Sequence, residues 1–281
     1  MGFIRVGTSS WADKMLVQSG WYPREMNNTA GRLAYYSQHF DLVEVDTTHY
    51  AIPDPAVTEA WAARTPAGFT FDVKAFSLLT GHPTRASALP AQVRPPSGPD
   101  RVTRRDLGDE HYEEVWRLFH ASLEPLAAAG KLGVVLLEFP PWLEYSPAAL
   151  RRVLHEADRC RPHQPAVELR HGSWFAGEQA ARTLAALRDH DASFTCVDMP
   201  QGLPSSVPPL LAATARPAVL RLHGRASEAD YEYSDQELWD LSQRLHVLSP
   251  GEVHVLFDNG GGDQAQIDAA RFALLCYSMA T

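Results

Sequence analysis

The stretch AVLRLHGR, residues 218–225, carries the reading that decides the fold. Ala218–His223 is short and apolar, with Pro217 before it and Gly224 after it, the pattern of a buried strand. Side chains alternate faces along a strand, so Val219, Arg221 and His223 share one. That face is apolar where the strand begins and ionisable where it ends. The same pattern recurs in both directions. Downstream, Val253–Asp258 closes on Asp258. Upstream, Ser193–Asp198 closes on Asp198, and Ala166–Arg170 sets Glu168 and Arg170 on one face. Leu132–Phe139 carries Glu138 near its end, Phe69–Lys74 pairs Asp72 with Lys74, and Leu42–Asp46 pairs Glu44 with Asp46. Phe3–Gly7 completes a set of eight.

Helical patterns fill most of the gaps. Asp54-Pro55 opens a helix over 55–64, an apolar stripe of Tyr112, Val115, Leu118, Phe119 and Leu126 predicts one over 108–129, and Ser146-Pro147 opens another. Ser234 and Asp263 open helices over 234–246 and 263–279, Ser173 is placed to cap the helix after the fifth strand, and 203–213 is read as a helix. Eight short strands alternating with helices over 281 residues specify an α/β chain folded as a single (β/α)8 TIM-type barrel, one domain spanning 1–281. A doubly wound open sheet is the competing topology; it usually has fewer strands, and no Gly-rich first turn is present. Residues 75–107, with five prolines, form a long loop after the third strand, a functional lid or a disordered segment.

In a parallel barrel the carboxyl ends of the strands converge on the face where active sites are built. The charges therefore predict a polar mouth containing Glu44, Asp46, Asp72, Glu138, Glu168, Asp198 and Asp258, with Lys74, Arg170, Arg221 and Arg225 as cations and His223 able to titrate. Three chemistries use such a set. Glu44, Glu168 and His223 are candidates for proton transfer. Lys74, Arg170, Arg221 and Arg225 are candidates for holding an anionic ligand, with Gly260-Gly261-Gly262 a second phosphate candidate. Glu168, Asp198, His223 and Asp258, ending four consecutive strands, are candidates for a divalent metal, although no short ligand-spacing motif supports it. Trp11, Trp21, Tyr50, Trp142 and Trp174 lie in or beside the loops of that face, where rings stack on sugars or bases; His171 begins the loop after the fifth strand.

Composition narrows the classes. A net charge of −9 disfavours a general nucleic-acid binder, while arginines at 94, 101, 104 and 105 leave a local basic patch. Three scattered cysteines without a CxxC pair fit a reducing cytoplasm. No apolar run is long enough for a membrane span, and no nucleotide-cofactor fingerprint or nucleophile elbow is present.

GTSSW (Gly7–Trp11), WYP (Trp21–Pro23), VEVDTTHYAIP (Val43–Pro53), TPAGFTFDVKA (Thr65–Ala75), LGVVLLEFPPWL, AVELRHGSWF, VDMP, LRLHGR and FDNGGGDQAQIDA occur in this order. Together they resemble domain-of-unknown-function family 72, the YecE-like proteins, over nearly the whole chain. The resemblance implies a TIM-barrel-like fold of unestablished activity and points to Asn259, within FDNGGG, as a further ligand-binding candidate. Asp46 and Asp258 stand where that family's pattern has asparagine, Glu138 where it has glutamine, Ser10 where it has glycine and His49 where it has an aromatic ring. The expected function is an enzyme acting on a small polar or anionic, sugar-like or phosphorylated metabolite by acid–base chemistry at the barrel mouth. The alternatives are a non-catalytic binding barrel and a metal-dependent isomerase or nuclease-like barrel.

Overall fold

The computed structural model describes residues 3–203, 205–226, 231–248 and 251–280. In chain order its elements are β1 (Phe3–Ser9), α1 (Lys14–Ser19), α2 (Thr29–Tyr36), β2 (Leu42–Val45), α3 (Pro55–Ala63), β3 (Thr70–Lys74) and α4 (Ser77–Thr80). There follow β4 (Thr84–Arg85), β5 (Arg101–Val102), α5 (Arg104–Ala128), β6 (Leu132–Glu138), α6 (Pro147–Arg159), β7 (Gln164–Glu168) and α7 (Gln179–Asp189). The chain continues with β8 (Ser193–Asp198), β9 (Ala218–Leu222), α8 (Asp235–Leu248), β10 (Glu252–Phe257) and α9 (Gln264–Ala280). Eight strands close into a parallel barrel in the order β1-β10-β9-β8-β7-β6-β3-β2. These are the eight runs expected from sequence.

Local chemistry explains the helix starts. Asp54 accepts from the Ala56 amide ahead of Pro55, and Ser146 accepts from the Ala149 amide ahead of Pro147. Thr103 and Asp106 form a reciprocal capping box that opens α5 earlier than the apolar stripe suggests. Gly108 interrupts this helix with φ 74°, ψ 167°. Gly7 lets β1 and β2 approach, because a Cβ there would run into the Leu42 carbonyl.

Two expectations are corrected. Residues 205–213 hold no helix: Pro208 and Pro209 lack the amides a helix needs, and Thr214 then anchors the segment beside β8 through bonds with Ala192 and Phe194. Ser173 caps no helix; its hydroxyl accepts from the Tyr145 amide and bonds His171 Nδ1, while the α7 cap position is Glu178. The 75–107 segment is built rather than structureless. It contains α4 and an antiparallel ribbon of β4 and β5, and it buries Leu89, Val93 and Val102.

The main apolar core lies between the barrel wall and the helices. Inside the barrel a small separate plug of Val134, Leu136, Ala166 and Val219 fills the waist. Polar residues occupy both sides of this plug, and their arrangement defines the site.

Candidate functional site

Arg221, inward on β9 above Val219, is buried at the centre of the mouth. Its Nε and Nη2 each donate at 2.8 Å to the two oxygens of Glu44 on β2. Nη1 donates to Glu168 on β7 at 2.7 Å and to Glu138 on β6 at 3.0 Å, and Nη2 also reaches Asp258, just past β10, at 3.3 Å. Four carboxylates thus share one planar fork. Burial alone would lower the Arg221 pKa, but these carboxylates hold it far above its usual value.

Two more cations complete the cluster. Lys74 Nζ donates to Glu138 Oε2 at 2.9 Å, and Arg170 Nη1 donates to Glu168 Oε1 at 2.8 Å. Arg170 Nη1 also stands 3.3 Å from His223 Nε2. An arginine N–H can only donate, so Nε2 accepts and the imidazole proton sits on Nδ1, 3.2 Å from Asp258 Oδ2. Four acids therefore face three permanent cations.

The cluster is layered by depth. Glu44 and Glu168 are sealed, with every oxygen engaged inward. Burial pushes the Glu44 carboxyl up to about 7 against the pull of Arg221 and Lys74. Burial acts the same way on Glu168, but Arg221 and Arg170 beside it hold its carboxyl far below the usual range. Glu138 and Asp258 instead reach solvent, at 20% and 38% side-chain exposure. Both remain below the usual carboxylate range: burial opposes this, but Lys74 and Arg221 prevail at Glu138, and His223 and Arg221 at Asp258. Each spends one oxygen on protein partners. Glu138 Oε1 and Asp258 Oδ1 have no hydrogen bond from the described residues. Their strands, β6 and β10, stand four places apart in an eight-strand ring, on opposite walls of the mouth.

Beside this rim is a cleft of about 600 Å³, walled by His49, Tyr50, His82 and Trp142 and by the β4–β5 ribbon. His49 and His82 feel the charges of Lys74 and Glu138, which places the cleft against the cluster. Sequence reasoning recognised Tyr50 and Trp142 as loop aromatics but gave no role to His82, Arg85 or the ribbon, which pairs Thr84 with Val102 and Arg85 with Arg101.

Of the residues expected at the mouth, Glu44, Lys74, Glu138, Glu168, Arg170, Arg221, His223 and Asp258 come together. Others do not. Asp72 belongs to a lower layer, where it pairs with His254 Nδ1 at 2.8 Å. Asp198 shares its strand face with Cys196, whose sulfur meets Ala212 outside the barrel; it is held by Arg225 at 2.8 Å and by the Tyr233 hydroxyl. Arg225 is spent on Asp198 and Glu237, away from His223. Trp11 is packed edge-on against Trp61 and Phe71 in the core, and Trp174 is buried with its Nε1 on the Leu143 carbonyl. Asn259 is buried and bonded to Tyr231 and Asp268. His171 caps the Gly172–Phe175 turn through the Ser173 amide. The glycines of 260–262 form a turn, with Gly260 and Gly262 at left-handed φ.

The metal set fails on geometry. Asp198 is on the wrong strand face, and Arg221 nitrogens occupy the space among Glu168, Glu138 and Asp258 where an ion would sit. Among the described residues no group of three or more His, Cys, Asp or Glu is arranged to hold one. The anion set is corrected as well: Lys74, Arg170, Arg221 and Arg225 are each already neutralised by carboxylates.

Comparisons with known proteins agree with this architecture. The chain is 30% identical to the UPF0759 protein YunF of Bacillus subtilis, over 93% of this chain and 90% of that protein. A DUF72 family protein of Thermotoga maritima superposes with a TM-score of 0.76 at 27% identity, over 98% of this chain and 99% of the other. At 12% identity and a TM-score of 0.50, D-psicose 3-epimerase of Clostridium cellulolyticum covers 98% of each chain, a likeness of fold alone. No helix among the described residues is long and apolar enough to cross a membrane. The model of the family described as protein of unknown function DUF72 matches residues 5–279, and this chain belongs to that family.

Proposed function

We propose that the barrel mouth is the active centre of an enzyme that moves protons on a small, polar, sugar-like metabolite without a metal. The observation that carries this reading is the pair of half-engaged carboxylates, Glu138 and Asp258, on opposite walls of the mouth. Each is ionised at neutral pH and has one oxygen without a protein donor, as a general base requires. Either carboxylate can take a proton from a substrate carbon, become the carboxylic acid, and exchange that proton with water at the open mouth before a proton is returned to the carbon. His223 stands behind Asp258 and orients it, with Nδ1–H toward the Oδ2 oxygen, leaving Oδ1 turned to the mouth. Arg170 and Lys74 border the same rim and hold Glu168 and Glu138 in place.

The catalytic assignment therefore moves outward from the one expected from sequence. Glu44 and Glu168 have no free oxygen and act as positioning residues that hold Arg221 and Arg170. Excess acid at the mouth selects for a hydroxyl-rich or neutral reacting end, since an anion would meet like charge there.

The test is isotope exchange. Pooled sugars and sugar phosphates are incubated with the protein in D2O and followed by mass spectrometry. Wild type should wash deuterium into at least one carbon-bound position, and Asp258→Asn and Glu138→Gln should each slow this by about 10²–10⁴-fold. A metabolite that binds wild type and both variants alike but is changed by none would make this a non-catalytic binding barrel.

A further inference from the structure

The cations expected to hold an anion are consumed by carboxylates, yet two arginines nearby are not. Arg85 on β4 and Arg101 on β5 stand directly opposite each other in the antiparallel ribbon. Like charges in that position destabilise a ribbon. Among the described residues neither guanidinium has a carboxylate within ion-pair distance, and Arg101 Nη1 donates only to the Pro83 carbonyl, at 3.0 Å. The ribbon beneath them is firmly set. Val102 is in the core, Thr84 bonds the Ser77 hydroxyl at 2.7 Å, and the Ala86 amide donates to the Asp100 carbonyl. A rigid platform thus presents two unneutralised guanidiniums, at a cost, to the cleft that abuts the catalytic rim.

We infer that Arg85 and Arg101 form the anion subsite of this enzyme and bind the phosphate monoester of its substrate, while the hydroxyl-rich end reaches Glu138 and Asp258. This rests on the proposed acid–base reading for the second half only. Charge separates the two ends: the mouth turns the carboxylates of Glu138 and Asp258 to solvent and repels a phosphate, whereas the ribbon attracts one. The cleft volume of about 600 Å³ suits a sugar phosphate. The same cleft is lined by Tyr50 and Trp142, 68% and 62% exposed, as faces for a sugar ring. His49 donates Nδ1–H to the Ala75 carbonyl at 3.2 Å and so keeps Nε2 as an acceptor for a hydroxyl.

The experiment is calorimetric titration of wild type and the Arg85→Gln/Arg101→Gln double variant with ribose 5-phosphate, ribose, inorganic phosphate and a ten-nucleotide single-stranded DNA. Wild type should bind ribose 5-phosphate at least about 10-fold more tightly than ribose, with inorganic phosphate competing. The double variant should lose that preference, and its unliganded Tm should hold or rise because a like-charge pair has been removed. Trp142→Ala should weaken ribose 5-phosphate and leave inorganic phosphate unchanged. Equal affinity for ribose and ribose 5-phosphate, or phosphate binding that survives in the double variant, overturns the subsite. Binding of the oligonucleotide alone overturns it in favour of a nucleic-acid contact. Phosphate binding is read without turnover. A failed isotope exchange with intact phosphate binding would therefore sink the catalytic reading and spare the subsite.

Discussion

The barrel interior holds two ionic clusters, one on each side of the Val134, Leu136, Ala166 and Val219 plug, and they are built from similar parts to different ends. In the lower cluster Asp72 binds His254, Glu252 binds Arg5 and His254, and Arg5 and Arg216 approach Asp41 and Glu252. Three acids meet two arginines and a histidine that is protonated at neutral pH. In the upper cluster four acids meet three permanent cations. The lower cluster is matched and its centre, Asp72 and His254, is sealed. The upper one has more acids than permanent cations and opens to solvent through Glu138, Asp258 and His223. Balance with closure serves stability; imbalance with access leaves a proton to be moved.

The harshest test of the comparison is Arg221→Met, which strands Glu44 and Glu168 in a dry site. Breaking buried pairs costs about 3–5 kcal/mol, so the variant should unfold at far lower denaturant or fail to accumulate. A drop under about 1 kcal/mol would mean that the upper cluster is solvated and not the hub described above. Next is His254→Gln, probed across pH. Burial would depress the His254 pKa, but Asp72 and Glu252 raise it from 6.5 to about 9. The stabilisation, about 3 kcal/mol, is fully present below about pH 6.5 and is lost as pH rises through about 9. The deficit of the variant in urea unfolding should therefore be largest near pH 6 and shrink above pH 9; a pH-independent deficit would break the assignment. Asp258→Asn should have the smallest effect on stability, within about 1 kcal/mol, since the residue is partly exposed and its loss brings the upper charges to parity. Because Asp258 is one of the charges raising Glu44, the same variant should move the Glu44 titration below about 7, read from carboxyl NMR shifts. An unmoved titration would show that the two acids do not share one field.

Much of this was legible along the chain. Strand parity alone collects Glu44, Lys74, Glu168, Arg170, Arg221 and His223 at one mouth, because period two and parallel winding leave little choice. Parity says nothing about height, so Asp72 and Lys74 look equivalent in sequence although a layer of the barrel separates their partners. Nor does it say which face of β8 is inward, and Asp198 was lost to the outer side. A tryptophan near a loop reads alike whether it packs inward, as Trp11 and Trp174 do, or stands in solvent, as Trp142 does.

The sequence by itself determined the barrel, its eight strands and the end at which charge gathers, since these follow from local periodicity and chain direction. Only the tertiary structure decided which charge neutralises which. Ion pairing depends on approach within a few ångströms across strands far apart in sequence, 177 residues for Glu44 and Arg221. No local pattern encodes that Arg221 is spent on four carboxylates while, among the described residues, Arg85 and Arg101 have none within ion-pair distance.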